Sequence, residues 1–171
     1  AKDAVKPDAD VSSWKKLDLP HDWSIYNDFD QYSPAQNEGG QLNGGQAWYL
    51  TQFYLEEDAS LVSVRLLFDG VYMNAQVYIN GQVLGYYPNG YTPFSYDITP
   101  YLRNDGTANQ LAVFVENQQP SSRWYSGSGI YREVKLLITD LVHLDLYGIK
   151  IESPKLKEQR DGWVETQLLK H

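Results

Sequence analysis

The densest set of reactive side chains lies in Pro120 to Arg132, PSSRWYSGSGIYR. It brings two arginines, Arg123 and Arg132, together with Trp124, Tyr125 and Tyr131. A guanidinium forks onto neighbouring oxygen atoms, and an indole offers a flat apolar face. That pairing suits a sugar, whose hydroxyls accept hydrogen bonds and whose C–H face stacks on aromatic rings. Ser126-Gly127-Ser128-Gly129 lets the backbone turn sharply beside them. The same residues also describe a plain loop with an aromatic anchor and an arginine at the start of a strand. The residues alone leave both readings open.

Asn37-Glu38 invites a second chemistry. Retaining glycosidases use two carboxyl groups about 5 Å apart, one with a raised pKa. Glu38 lies in a glycine-rich stretch without a partner carboxylate, and barrel enzymes place their acids at strand ends. It reads as a loop residue and not as a catalytic acid. His21, His143 and His171 lack metal-ligand spacing. Asp28 and Asp30 sit two apart in a polar loop and read as solvated. No nucleophile elbow, phosphate loop, dinucleotide fingerprint or calcium loop occurs. With no cysteine in the chain, thiolate chemistry and disulfides are excluded. Neither a metal nor a cofactor is expected.

These side chains need a scaffold, and the scaffold reads as strands. Trp48 to Leu55 and Val64 to Phe68 are two of them. From Val71 the chain alternates: Val71, Met73, Ala75, Val77 and Ile79 on one face, Tyr72, Asn74, Gln76, Tyr78 and Asn80 on the other. Asn80-Gly81 then predicts a tight hairpin turn with a return strand over 82–85. Thr99-Pro100 predicts a single capped helical turn. Leu111 to Val115 and Val134 to Ile138 are further strands, and Val142, Leu144 and Leu146 continue the pattern. No helical period is sustained. Short strands between turn signals predict an antiparallel all-β sandwich. Residues 26–47, rich in Gly, Asn, Gln and Asp, form a long loop of the kind that carries function or motion. Gly148 to Pro154 and Trp163 to Leu169 read as two strands around a charged turn. Such a pair is marginal alone, so it reads as the start of a further domain. The lack of a methionine before Met73 suggests a chain cut from a longer one.

The 171 residues carry 22 acidic against 14 basic side chains, a net charge of −8. This balance argues against nucleic acid and anionic membrane as partners. No apolar run approaches the roughly 18 residues of a membrane span. Aromatic residues make up 14% of the chain, which fits a β-rich core or a carbohydrate-facing surface.

Leu19 to Trp23 (LPHDW), Phe68 to Met73 (FDGVYM), Val77 to Gly81 (VYING) and Ser126 to Arg132 (SGSGIYR) occur in an order that resembles one family. It is the N-terminal sugar-binding domain of glycoside hydrolase family 2. The stretches PAQNEGGQLNGG and PSSRWYSGSGIYR are similar to those of bacterial, streptococcal-type β-galactosidases. The resemblance covers roughly residues 17–147. It implies a jelly-roll β-sandwich of the galactose-binding-domain type over residues 1–147. It further implies an immunoglobulin-like sandwich beginning at 148–171, and a (β/α)8 barrel beyond that holds both catalytic glutamates. This chain is then non-catalytic. Its implied partners are the terminal β-galactoside of an oligosaccharide or glycan and the parent's own barrel.

In that family a loop before the GI-aromatic-R motif touches the substrate's non-reducing sugar. Aligned on Gly129 to Arg132, the contacting position is Arg123, with Trp124 beside it and Asn43 in the long loop as further substrate-binding candidates. Many relatives carry Asp where Arg123 stands, so a donor role replaces an acceptor or cation-linked one. A secreted or cell-wall-associated parent is consistent with the resemblance. An autonomous carbohydrate-binding module and an adhesive surface domain are the competing readings.

Overall fold

The structure is a computed structural model that describes residues 5–6, 9–121, 124–152 and 163–166. The chain divides into two compact units, Ala1–Ile138 and Thr139–His171. Within the first, seven strands follow in order. They are β1 (Gly45–Phe53), β2 (Val62–Phe68), β3 (Ala75–Ile79), β4 (Gln82–Tyr87), β5 (Phe94–Asp97), β6 (Asn109–Asn117) and β7 (Val134–Asp140), the last running two residues past the boundary. They form a four-stranded sheet, β1-β6-β3-β4, and a three-stranded sheet, β5-β2-β7. The pairs β1–β6, β3–β6, β3–β4 and β2–β5 are antiparallel. This is the expected jelly-roll sandwich.

Alternation decides which side chains enter the core. Ala75, Val77 and Ile79 of β3 and Leu111, Val113 and Val115 of β6 face Val64, Leu66 and Phe68 of β2, all nearly or fully buried. Each such Val, Leu, Ile or Phe side chain contributes about 1.5–3 kcal/mol by leaving water, and Ala75 contributes less. One long side of the sandwich is sealed by aromatic rings. Tyr87 of β4 stacks on Phe94 of β5 at 4.3 Å, and Phe94 stacks on Phe68 at 4.8 Å.

The Asn80-Gly81 turn forms as expected, with φ of 50° and 83° at the two residues. The strand before it starts four residues later than the alternation predicts. Asn74 has φ 51°, which interrupts the extended run. Tyr72, expected to point outward, is buried, and Met73 is only half-buried. The helical turn at Thr99–Tyr101 is present without a capping side chain. The Thr99 amide instead donates to Asp97 Oδ1 at 3.0 Å. Val142, Leu144 and Leu146 form no strand, and Val142 is almost fully exposed. In the second unit, β8 (Ile149–Glu152) and β9 (Trp163–Thr166) pair antiparallel. The charged turn predicted between them lies outside the described residues.

Candidate functional site

Three of the sequence motifs meet at one point. The amide of His21 donates to the Ile130 carbonyl at 2.8 Å and that of Trp23 to the Ser128 carbonyl at 3.0 Å. On the opposite flank, Tyr72 and Gly129 exchange two backbone hydrogen bonds, each of 2.9 Å. Residues 128–130 are thus clamped between LPHDW and FDGVYM. Gly129 has φ 122°, and a Cβ there would strike the Tyr49 hydroxyl and the His21 carbonyl. Only glycine fits.

Asp22 organises the polar side of this clamp. Its Oδ1 accepts from the Ser24 amide at 3.0 Å and the Ser128 amide at 2.9 Å. Its Oδ2 accepts from the Tyr125 hydroxyl. Burial, reinforced by the Asp22 carboxylate, raises the Tyr125 phenol above its ordinary pKa. Burial likewise pushes Tyr49 up to about 12. His21 Nδ1 lies 2.9 Å from the Tyr49 hydroxyl, and burial, with Lys15 nearby, lowers the imidazole pKa. Beneath them, Ser128 Oγ donates to Ser24 Oγ at 2.6 Å and accepts from Asn117 Nδ2 at 2.7 Å. These groups hold the backbone of residues 124–130 in place.

Trp124 stands above this base, 66% exposed. Its Nε1 donates over 3.4 Å to the Tyr91 hydroxyl, which donates on to Ser126 Oγ at 3.3 Å. Trp124 and Tyr125 edge a small cleft whose polar lining includes Asn117, Gln119, Ser121 and Ser126. The space inside is about 10 Å³, room for about one water. A sugar ring does not enter it. The indole face of Trp124 stays open beside the cleft.

Of the expected binding residues, Trp124 is on this rim. Arg123 lies outside the described residues. Asn43 does not line the cleft: its Nδ2 donates to Asp30 Oδ2 at 3.1 Å, and its carbonyl accepts from Ser24 Oγ at 2.8 Å. The Asn43 amide and the Tyr32 amide lower the Asp30 pKa. The long loop is therefore tied to LPHDW, with Trp23 Nε1 also donating to the Gly44 carbonyl at 3.1 Å. Glu38 is exposed in a tight turn of that loop. Arg132 reaches the Asp69 and Tyr91 carbonyls at 3.4 Å, a structural role. Tyr91 was not foreseen. It comes from the loop between β4 and β5, and only the Asn89-Gly90 turn before it hints at its placement. Gly90 makes room for the Tyr72 ring, which meets Tyr91 edge-on at 5.4 Å. Among the described residues, no group of three or more His, Asp or Glu is placed to hold a metal ion, and no helix is long and apolar enough to cross a membrane.

Known proteins share the fold and much of the sequence. The family described as glycosyl hydrolases family 2, sugar binding domain, matches residues 9–140. The chain is 46% identical over 158 residues to the β-galactosidase BoGH2A of Bacteroides ovatus, covering 92% of this chain and 18% of that protein. It is 32% identical over 149 residues to a β-glucuronidase of Formosa agariphila, covering 79% and 15%. The crystal structure of a β-glycosidase from Bacteroides vulgatus superposes with a TM-score of 0.84 at 41% identity, covering 90% of this chain and 20% of that one. The chain thus spans no more than a fifth of the length of these relatives. By its motifs, its fold and these matches, the chain belongs to the sugar-binding domains of glycoside hydrolase family 2.

Proposed function

We propose that this domain completes the sugar pocket of a retaining β-galactosidase whose catalytic barrel lies elsewhere in the parent polypeptide. The observation that carries the reading is the exposed Trp124 face on a base too tight to hold a sugar. Such a rim binds only half of a ligand, and a second surface must supply the rest. The similarity to BoGH2A over nearly the whole chain supports a β-galactoside as that ligand. Residues 148–171 then open the immunoglobulin-like domain that leads to the barrel. Arg123 donates to the sugar's hydroxyls and Trp124 stacks on its C–H face, and Asn43 holds the neighbouring loop. Their contribution is positioning, which lowers the barrier by fixing the reacting geometry.

The test compares the parent polypeptide on p-nitrophenyl β-galactoside and β-glucuronide. The reading requires β-galactoside turnover in the parent and none from the 171-residue chain. Trp124→Ala and Arg123→Ala should each lower kcat/KM by about tenfold, the equivalent of roughly 1.4 kcal/mol of lost transition-state binding. Turnover by the isolated chain that Glu38→Gln abolishes would sink the proposal.

A second reading rests on the similarity to a β-glucuronidase and on the arginine at position 123. A guanidinium pairs with a carboxylate in a two-pronged fork more strongly than with hydroxyls. Turnover of the glucuronide alone, lost in Arg123→Ala, would select it. Galactose shifting the Trp124 resonances of the isolated chain at millimolar concentration would instead favour an autonomous binding module.

A further inference from the structure

Trp124 is mostly exposed on a loop. An indole that turned freely there would lose that freedom whenever a ligand lay against it, and the loss would weaken binding. Its ring nitrogen instead begins a closed circuit of hydrogen bonds. Trp124 Nε1 donates to the Tyr91 hydroxyl at 3.4 Å, and Tyr91 donates to Ser126 Oγ at 3.3 Å. Ser126 Oγ donates back to the Trp124 carbonyl at 3.2 Å. Each bond is long and weak by itself. In a circuit each hydroxyl accepts on one side and donates on the other, so the bonds polarise one another. The circuit ties the far end of the indole to its own backbone.

Tyr91 suits the central place. An indole N–H only donates, so it needs an acceptor, and Ser126 Oγ has already sent its own proton to the carbonyl, so it takes a donor. A phenol is both. The rest of Tyr91 is fixed without the hydroxyl. Asn89 Oδ1 accepts from the Tyr91 amide at 2.7 Å and from the Thr92 amide at 3.1 Å. Tyr131 donates to the Gly90 carbonyl at 2.7 Å, and Arg132 Nη1 to the Tyr91 carbonyl at 3.4 Å. The buried Tyr72 ring meets the Tyr91 ring edge-on. Two residues of the GI-aromatic-R motif thus steady the loop that steadies Trp124.

We infer that Tyr91 is a positioning residue for sugar binding: through its hydroxyl it fixes the angle at which the Trp124 indole meets the ligand. The inference rests on the reading of Trp124 as a sugar-facing residue. It goes further by giving the β4–β5 loop a part in recognition that acts through another side chain. Direct contact of the Tyr91 ring with the sugar is the rival role, and the two diverge once the indole is removed.

The experiment is a double-mutant cycle in the parent polypeptide, with the p-nitrophenyl glycoside that it hydrolyses. Tyr91→Phe keeps the ring and removes the hydroxyl. It should lower kcat/KM by about threefold, the scale of one neutral hydrogen bond. The loss should divide between KM and kcat in the same proportion as in Trp124→Ala. In the Trp124→Ala background, Tyr91→Phe should change nothing further. Ser126→Ala opens the circuit on its other side and should match Tyr91→Phe, and the two together should be no worse than either alone. Urea midpoints should stay where they are, which separates these effects from loss of fold. The full Tyr91→Phe effect persisting without the indole would overturn the inference, since Tyr91 would then act on its own. So would unchanged kcat/KM in both Tyr91→Phe and Ser126→Ala beside an impaired Trp124→Ala, a result that leaves the reading of the site standing. If Trp124→Ala is itself unimpaired, the reading of the site fails and the inference falls with it. If Tyr91→Phe does not fold, Ser126→Ala and its combination with Trp124→Ala decide on the same terms.

Discussion

The stretch from Trp124 to Arg132 has two halves that behave differently. From Ser128 to Ile130 the backbone is bonded to His21, Trp23 and Tyr72 of two other motifs, and a glycine is locked by its neighbours. Four residues earlier, Trp124 is mostly exposed, and its indole Nε1 donates over 3.4 Å to the Tyr91 hydroxyl. The half with the recognisable sequence pattern builds the scaffold. The exposed half carries almost no pattern. Motif strength here marks packing constraint and not contact with a sugar.

The sharpest way to break this contrast is to attack the locked half. Gly129→Val should abolish folding, because a branched side chain would sit at φ 122° against the Tyr49 hydroxyl. A near-UV circular dichroism spectrum like that of the unmodified chain would show that the clamp is dispensable. Asp22→Ala should cost about 3 kcal/mol in urea unfolding, since two amides and a phenol lose a charged acceptor. A loss below about 1 kcal/mol would move the anchor elsewhere.

Alkaline titration sharpens the comparison with less force. Tyr49 and Tyr125 both hold their protons above the ordinary tyrosine range in the folded state. The unfolded chain ionises first, near pH 10, so it binds fewer protons than the folded one above that pH. Stability should therefore hold up to about pH 10 and fall as pH rises toward 12, measured as a falling urea midpoint. Tyr49→Phe should flatten part of that fall. The smallest effect belongs to the rim. Trp124→Ala should change stability by less than about 0.5 kcal/mol while lowering the parent's kcat/KM. Glu38→Gln should change neither, as read by the same two assays.

Most of the fold was legible because alternation and turn chemistry agree at Asn80-Gly81 and along β6. Where they disagree, the reading failed. Tyr72 lies in an alternating run, yet its backbone is engaged by Gly129 and its ring by Gly90 and Tyr91. Those partners are distant in sequence, so no local rule reveals them. β5 is only four residues long and follows a proline, too brief to show a period. Val142 to Leu146 alternates in sequence without forming a strand, because pairing and not pattern makes a sheet. At the cleft, Trp124 is singled out by its place before the GI-aromatic-R motif. Asn43 sits in a loop whose internal hydrogen bonds only coordinates reveal. Tyr91 arrives from another loop and carries no motif of its own.

The clamp also sets a schedule. The hydrogen bond from the Ser128 amide to Asp22 joins residues 106 positions apart. During synthesis at about 5–20 residues per second, LPHDW leaves the ribosome about 5–20 s before the segment that completes it. Through that interval β1, β2 and β3 exist with open edges, and Tyr72 has no Gly129 to pair with. Pairings of such long range make for slow folding. The nascent domain is therefore at greatest risk of pairing with a neighbour just before its last hundred-residue loop closes. A chaperone that binds exposed strand edges would act in that window, and a pause in translation between Trp23 and Ser128 would lengthen it.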